Sequence, residues 1–116
     1  MKDLVMHWPE RVHPYVRTTQ RQKWVDKRYK KYNEWRNAFR NWANAQSFPS
    51  ELDPKKTYRL SVKIHLKGKS RADVDNLAKA IMDSLFKQDR RILGLTIDVF
   101  ESAGLVDSAS IMLTEM

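Results

Sequence analysis

The sequence predicts an α+β domain in which two main helices cover a small mixed sheet of about four strands, in the order β-α-β-α-β-β. One stretch alternates apolar and polar side chains, the period of a strand with a single buried face. Two other stretches repeat apolar residues every three or four positions, the period of an amphipathic helix. The length of 116 residues suits one domain, residues 1–116, with a modest core.

The first half of the chain predicts a strand, a basic loop and a long helix. Leu4 to Trp8 (LVMHW) is a short apolar run that Pro9 stops, which is typical of a strand. Pro9 to Gln22 contains two prolines and is rich in arginine, which indicates a loop. From about Trp24 to Gln46 the aromatic and aliphatic residues recur at helical spacing, and we interpret them as a core stripe. The members of this stripe are Val25, Tyr29, Tyr32, Trp35, Phe39 and Trp42.

The second half predicts a turn, a strand, a helix and two further strands. Phe48 to Lys56 carries two prolines and indicates a turn segment. Tyr58 to Leu66 alternates cleanly, so a strand with one buried face is expected. Val74 to Leu85 has the pattern of a second helix. Ile92 to Phe100 and Ala109 to Thr114 are apolar runs of strand length that complete the sheet.

The charge balance favours a polyanionic partner. Lys and Arg number 22 against 14 Asp and Glu, for a formal net charge of +8. This excess suggests nucleic acid before membrane, although small basic proteins without any nucleic-acid role are common. The chain has no cysteine, which excludes disulfides and thiolate metal sites. No apolar run approaches the length of a membrane span or a signal peptide, so the expected location is the cytoplasm.

The stretch SRADVDNLAKAIMDSL concentrates acid at the start of the second predicted helix. Asp73 and Asp75 lie two residues apart there, Lys79 follows one turn later and Asp83 one turn beyond. Helix capping explains one of the first two acids, because Asp is a favoured N-cap and complements the helix dipole. Capping explains two neighbouring acids less well, because like charges repel. The competing interpretation is a metal site.

A magnesium site needs a third group besides this pair. Mg²⁺ is usually bound by a few carboxylates, while water and substrate phosphate fill its remaining positions. The nearest candidate along the chain is Asp89, in the link that follows the helix. Asp98 and Asp107 are less attractive, the first because it lies inside an apolar strand run.

The segment DVDNLAKAIMDSL resembles the signature of the RusA family of Holliday junction resolvases, D-x-D-N-L-x-K followed by D-x-L. Seven positions agree at fixed spacing. The family then has a short loop and an acidic pair, and Asp89 matches the second acid of that pair, whereas Gln88 replaces the first. The segment PYVRTTQRQKWVDKRYKKYNEW is also similar to the basic loop and helix of some members.

The resemblance implies a Mg²⁺-dependent endonuclease, with Mn²⁺ as an alternative ion, that hydrolyses phosphodiesters at four-way DNA junctions in recombination and repair. It implies metal binding by Asp73, Asp75 and Asp89, with Lys79 stabilising the charge of the transition state. It also implies a homodimer, because two matched cuts need two equivalent sites, and an origin in a phage or prophage.

Basic residues are expected to hold backbone phosphates of the DNA on either side of the metal ions. They lie in the first loop and just before the acids: Arg11, Arg17, Arg21, Lys23, Lys67, Lys69 and Arg71. The three histidines are interpreted as structural residues or DNA contacts. Two alternatives remain open, a basic DNA-binding module without catalysis and a nuclease for flaps or forks.

Overall fold

The computed structural model describes residues 3–16, 27–70, 72–102 and 106–116 and has the predicted α+β architecture and element order. The elements are β1 (Leu4–Trp8), α1 (Lys27–Ala45), β2 (Tyr58–Lys67), α2 (Val74–Leu85), β3 (Ile92–Ser102) and β4 (Ser108–Glu115). The predicted beginning of the first helix, at Trp24, lies outside the described residues. Within the described ranges, neither helix combines the length and the apolar character that a bilayer crossing requires.

The sheet is mixed, and its topology gathers three loops at one edge. The strand order is β1-β4-β2-β3, in which β4 is antiparallel to both of its neighbours and β2 is parallel to β3. β1, β2 and β3 therefore point the same way. The chain leaves all three strands at the same edge, which we call the carboxyl edge. Helix α2 is the crossover that a parallel pair requires.

The core forms where both helices pack on one face of the sheet. Alternate residues of β2 are buried from Tyr58 to Leu66, which confirms the alternation in the sequence. The aromatic stripe of α1 is also confirmed, because Tyr32, Trp35 and Phe39 are buried. Trp8 of β1 packs edge-on against Phe39 at 5.1 Å between ring centroids. The contact between these two aromatic rings thus packs β1 against α1.

The opposite face of the sheet carries the polar half of each alternation. We call it the open face. β2 contributes Arg59, Ser61, Lys63 and His65, which are exposed or half-buried. The facing residues of β3 and β4 include the polar residues Thr96, Asp98 and Ser110, together with the apolar residues Phe100 and Met112.

Asp83 fastens α2 to α1. Its carboxylate accepts a hydrogen bond from the Tyr32 hydroxyl at 2.7 Å and from Arg36 Nη1 at 3.2 Å. Arg40 donates to the backbone carbonyls of Asp83 and Ser84, both at 3.0 Å. Burial, reinforced by the hydrogen bond to Asp83, raises the pKa of Tyr32, so its phenol stays a proton donor. Asp83 therefore has a structural role, and it lies on the side of α2 that faces α1.

Replacing Tyr32 with Phe is expected to lower the free energy of unfolding by about 1–2 kcal/mol, because Asp83 loses its shortest hydrogen bond. Urea unfolding measures the change. Tyr15→Phe is the matched control, since the contact of Tyr15 with Tyr32 is made between the rings. Equal effects of the two substitutions would contradict a specific role for the Tyr32 hydroxyl.

Candidate active site

The two acids at the start of α2 keep their side chains exposed. Asp73 is the N-cap residue with extended backbone angles, φ −69° and ψ 148°, yet its side chain makes no capping hydrogen bond. Its backbone carbonyl accepts from the amides of Asn76 at 3.1 Å and Leu77 at 3.2 Å. Asp75 lies in the first turn, and both residues are exposed. The capping interpretation therefore fails for the side chain of Asp73, and both carboxylates face solvent.

Other residues hold the backbone that leads to this acidic pair. The Ser70 hydroxyl donates to the Ala72 carbonyl at 2.9 Å and accepts from the Ala72 amide at 3.2 Å. The Ser70 amide donates to the Glu101 carboxylate at the end of β3. Asp107 accepts from the Lys67 amide at 2.8 Å. The loop between β2 and α2 is thus fixed by side chains other than Asp73 and Asp75.

Glu101 and Asp107 take their role from the sheet topology. Glu101 has no motif around it that points to this loop, and Asp107 is distant from the acidic pair along the chain. The end of β3 meets the end of β2 because the two strands are parallel. A β-α-β unit places its two strands parallel to each other. This unit is therefore the feature of the sequence from which the position of Glu101 beside the β2–α2 loop could have been predicted.

The first loop forms the other wall of the site. The Tyr15 amide donates to the Asn76 carbonyl at 3.0 Å, which docks the loop on the first turn of α2. A groove of about 370 Å³ lies between the two segments. Its lining residues are Pro14, Tyr15, Val16, Arg28, Ala72, Asp73 and Asn76. Asp73 therefore lies at the wall of this groove.

Lys79 follows the acids on the solvent side of α2. Asp75 and Lys79 are one turn apart and both exposed, while Leu77 and Ile81 are buried on the other side of the helix. The helical period places a carboxylate and an ammonium on one stripe. This arrangement fits binding of an anion beside a metal, and it also fits a simple surface pair.

The predicted DNA-binding residues divide into two groups. Arg11, Lys67 and Lys69 are exposed and follow β1 or end β2, so they lie at the carboxyl edge with the acids. Arg11 also pairs with Asp107 at 3.4 Å. The remaining predicted contacts lie outside the described residues: Arg17, Arg21, Lys23 and Arg71.

The three histidines have separate surroundings. His7 Nδ1 lies 3.0 Å from Ser110 Oγ, within hydrogen-bonding distance on the open face. His13 stacks on Trp35 with 5.8 Å between ring centroids, and His65 stacks on Phe100. Burial, followed by the nearby Arg11 charge, lowers the pKa of His13. Each ring therefore has a contact within the fold, which is compatible with both the structural and the DNA-contact interpretation.

Asp89 lies at the far end of α2 from the acidic pair. The helix has 12 residues, which makes it about 18 Å long. The Asp89 carbonyl accepts from the Ile92 amide at 2.9 Å, and Ile92 pairs with Tyr58, the first residue of β2. Asp89 therefore sits by the beginning of β2, whereas Asp73 follows its end. The described residues contain no group of three or more histidine or acidic side chains arranged to hold a metal within this chain.

These features are those of a domain with two exposed carboxylates at a helix start, one of them beside a groove, and with exposed cations at the same edge of the sheet. Carboxylates and cations together are the chemical setting of an enzyme that cuts a phosphate backbone. Residues 10–104 match the family model described as endodeoxyribonuclease RusA. The match spans most of the chain and includes both walls of the groove, so the chain belongs to the RusA endodeoxyribonuclease family. A comparison with curated proteins gave no match.

The free state of the Asp73 carboxylate leads to a stability prediction. Asp73→Asn should change the free energy of unfolding by less than about 0.5 kcal/mol in metal-free buffer, because no capping hydrogen bond is lost. Ser70→Ala should lower it by about 1 kcal/mol, because both hydrogen bonds to Ala72 disappear. Urea unfolding compares the two. A larger loss for Asp73→Asn than for Ser70→Ala would return Asp73 to a capping role.

Proposed function

We propose that this protein is a Mg²⁺-dependent endonuclease that resolves four-way DNA junctions by paired phosphodiester hydrolysis, in DNA recombination and repair. Membership of the RusA family supports DNA cleavage. The observation that carries the proposal is the exposed pair Asp73 and Asp75, whose first member occupies an N-cap position without capping. A helix start that leaves its acid free is well suited to a ligand that brings positive charge.

The donor set fits a hard divalent ion. Asp73 and Asp75 offer carboxylate oxygens in an exposed position, and Mg²⁺ takes one or two carboxylates together with water and substrate phosphate. Mn²⁺ prefers similar oxygen ligands. When bound, such an ion lowers the pKa of a coordinated water and neutralises charge on the phosphate.

The cations of the carboxyl edge position the DNA in this proposal. Lys79, one turn from Asp75, would place its ammonium against a phosphate oxygen and stabilise the negative charge that grows during cleavage. Arg11, Lys67 and Lys69 would hold neighbouring phosphates without reading bases. Arg17, Arg21, Lys23 and Arg71 would extend the same backbone contact.

The position of Asp89 supports the proposal that the active protein is a homodimer. In one chain Asp89 is about one helix length away from Asp73, too far to share an ion. β3 is one of the two outer strands of the described sheet and, with 11 residues against 5 in β1, the longer of them. It exposes Leu93 and Leu95 by 62% and 44%. A long apolar outer strand favours pairing with another strand. We assign this pairing to a second copy of the chain.

A two-fold axis normal to the sheet would make the two β3 strands antiparallel. The beginning of the partner's β3 would then lie beside the end of the first β3, at the carboxyl edge. Asp89 of the partner subunit would approach Asp73 and Asp75 from this side. Each of the two sites would thus take carboxylates from both subunits, and the dimer would present two sites for the two cuts that a four-way junction requires.

Cleavage should depend on Mg²⁺ and on Asp75. The wild-type protein should cut a synthetic four-way junction into nicked duplexes, and Asp75→Asn should bind the junction but cut it more than about 100-fold slower. Groups that only position a metal ligand already contribute about 10–100-fold. A gel assay with junction, flap, fork and duplex substrates in Mg²⁺ or Mn²⁺ measures this.

Asp3→Asn is the matched control for Asp75→Asn. Asp3 is exposed and precedes β1, at the edge opposite the acidic pair, so its loss should leave cleavage unchanged. If the wild type leaves every branched substrate intact with both ions, the proposal is wrong. Equal cleavage by Asp75→Asn and wild type would remove the acidic pair from the site.

Mixing two inactive variants tests the shared site. In a heterodimer of Asp75→Asn with Asp89→Asn, one composite site carries both substitutions and the other carries none. The mixture should therefore nick the junction at one strand, although each variant alone is inactive. If each site instead belonged to a single chain, both sites of the heterodimer would be damaged. No nicking after verified subunit exchange would then contradict the composite site.

A further inference from the structure

Phe100 is an aromatic side chain that the core does not use. It lies on the open face near the end of β3 and is 42% exposed. Its neighbour across the strand pair is His65, and the two rings stack at 5.0 Å between centroids with an interplanar angle of 16°. The pair forms a flat platform on the side of the sheet away from the helices.

Cations line the open face beside this platform. Arg59, Lys63 and Lys67 are exposed and share one side of β2, at intervals of four residues, or about 13 Å. The Arg59 side chain lies over Gly94 of β3: if Gly94 carried a Cβ, that atom would be 3.1 Å from Arg59 Nε. Asp98 is the acid opposite Lys63. The charge along the strand is therefore mainly positive.

The remaining side chains around the platform are small and polar. Thr96 faces Ser61 across the β2–β3 pair, and Ser110 faces Lys63 across the β2–β4 pair. A stable protein interface usually has an apolar centre, whereas the exposed apolar residue Val5 of this face lies on β1, two strands away from His65. Flat aromatic rings flanked by cations are instead the surface on which single-stranded nucleic acids bind, since bases stack on the rings and phosphates meet the cations.

We infer that the open face binds an unpaired DNA strand, with Phe100 and His65 as the platform on which a base stacks. A base within a duplex already has neighbours on both of its faces, so the platform selects bases that are unpaired. The inference rests on the proposed function for the link to cleavage, and it deepens that function: the open face would hold bases that become unpaired at the branch point of the junction.

The topology connects this platform with the acidic pair. His65 precedes the end of β2 by two residues, and the chain then turns through Ser70 to Asp73. A strand that lies on the open face and crosses the carboxyl edge therefore arrives at Asp73 and Asp75. Pairing of two β3 strands edge to edge would leave the open face uncovered, so both proposals are compatible in one dimer.

Binding of a fluorescent oligothymidine in metal-free buffer tests the platform. Phe100→Ala should weaken this affinity about tenfold, in line with the loss of one stacked base, and should weaken binding to blunt duplex far less. Phe100→Tyr keeps the ring and should bind as the wild type does. Val5→Ala is the control, because Val5 is 55% exposed on the same face but lies on β1, so its affinity should not change.

The same variants must keep the wild-type melting temperature and elution volume. If Phe100→Ala does not fold, Phe100→Leu replaces it, because leucine removes the aromatic ring but keeps an apolar side chain and should weaken oligothymidine binding in the same way. Unchanged oligothymidine affinity in Phe100→Ala, or an equal loss for oligothymidine and duplex, would overturn the platform. Absence of oligothymidine binding by the wild type would overturn it as well. Asp75→Asn should retain this binding while losing cleavage. Failure of wild-type cleavage with binding that still depends on Phe100 would therefore reject only the endonuclease proposal.

Discussion

The parallel pairing of β2 with β3 is the constraint on which the rest of the structure depends. Two parallel neighbours require the chain to return along the sheet between them, and α2 makes that return. The helix consequently begins at the carboxyl edge and ends at the other. Its first turn meets the loop that follows β1, where the Tyr15 amide donates to the Asn76 carbonyl, and this contact brings Asp73 next to the groove formed by the first loop.

The acids of this basic chain divide into those that hold the fold and those that remain free. Asp83 fixes α2 to α1, while Glu101 and Asp107 accept hydrogen bonds from the backbone around the β2–α2 loop. Each of these acids has donors that offset its charge. Asp73 and Asp75 are held in place by the surrounding backbone and keep their carboxylates exposed. Rigid support with free oxygens is the condition under which a metal site is preorganised.

Patterns of local period predicted the elements well. The alternation in β2, the aromatic stripe of α1 and the bounds of α2 agree with the structure, because each reflects contact with one buried face. The family resemblance is confirmed by the match over residues 10–104. The order of the strands in the sheet could not be predicted from the sequence. An apolar run indicates that a strand is buried, but it does not indicate which strands pair with it.

The roles of individual acids were harder to predict for the same reason. Asp83 shares a stripe with Asp75 and Lys79 in a helical projection. In the structure, however, its carboxylate accepts hydrogen bonds from α1 and so holds the two helices together. Closeness along the chain suggested Asp89 as a companion of the acidic pair, whereas the intervening helix puts the two at opposite ends. Short sequence separation says little about distance when a rigid element lies between the residues.

Because Asp83 holds α2 against α1, the signature DVDNLAKAIMDSL contains residues with two different roles. Its first two acids, Asp73 and Asp75, keep their carboxylates exposed, whereas its last acid, Asp83, stabilises the packing of the helices. Mutational drift that removed Asp73 alone would leave Asp83, Leu85 and the packing of both helices unchanged. Such a descendant would still fold and still be recognised as a relative. Under the proposed function it would have lost its catalysis, so the first acids of the signature would then distinguish an active member from an inert one.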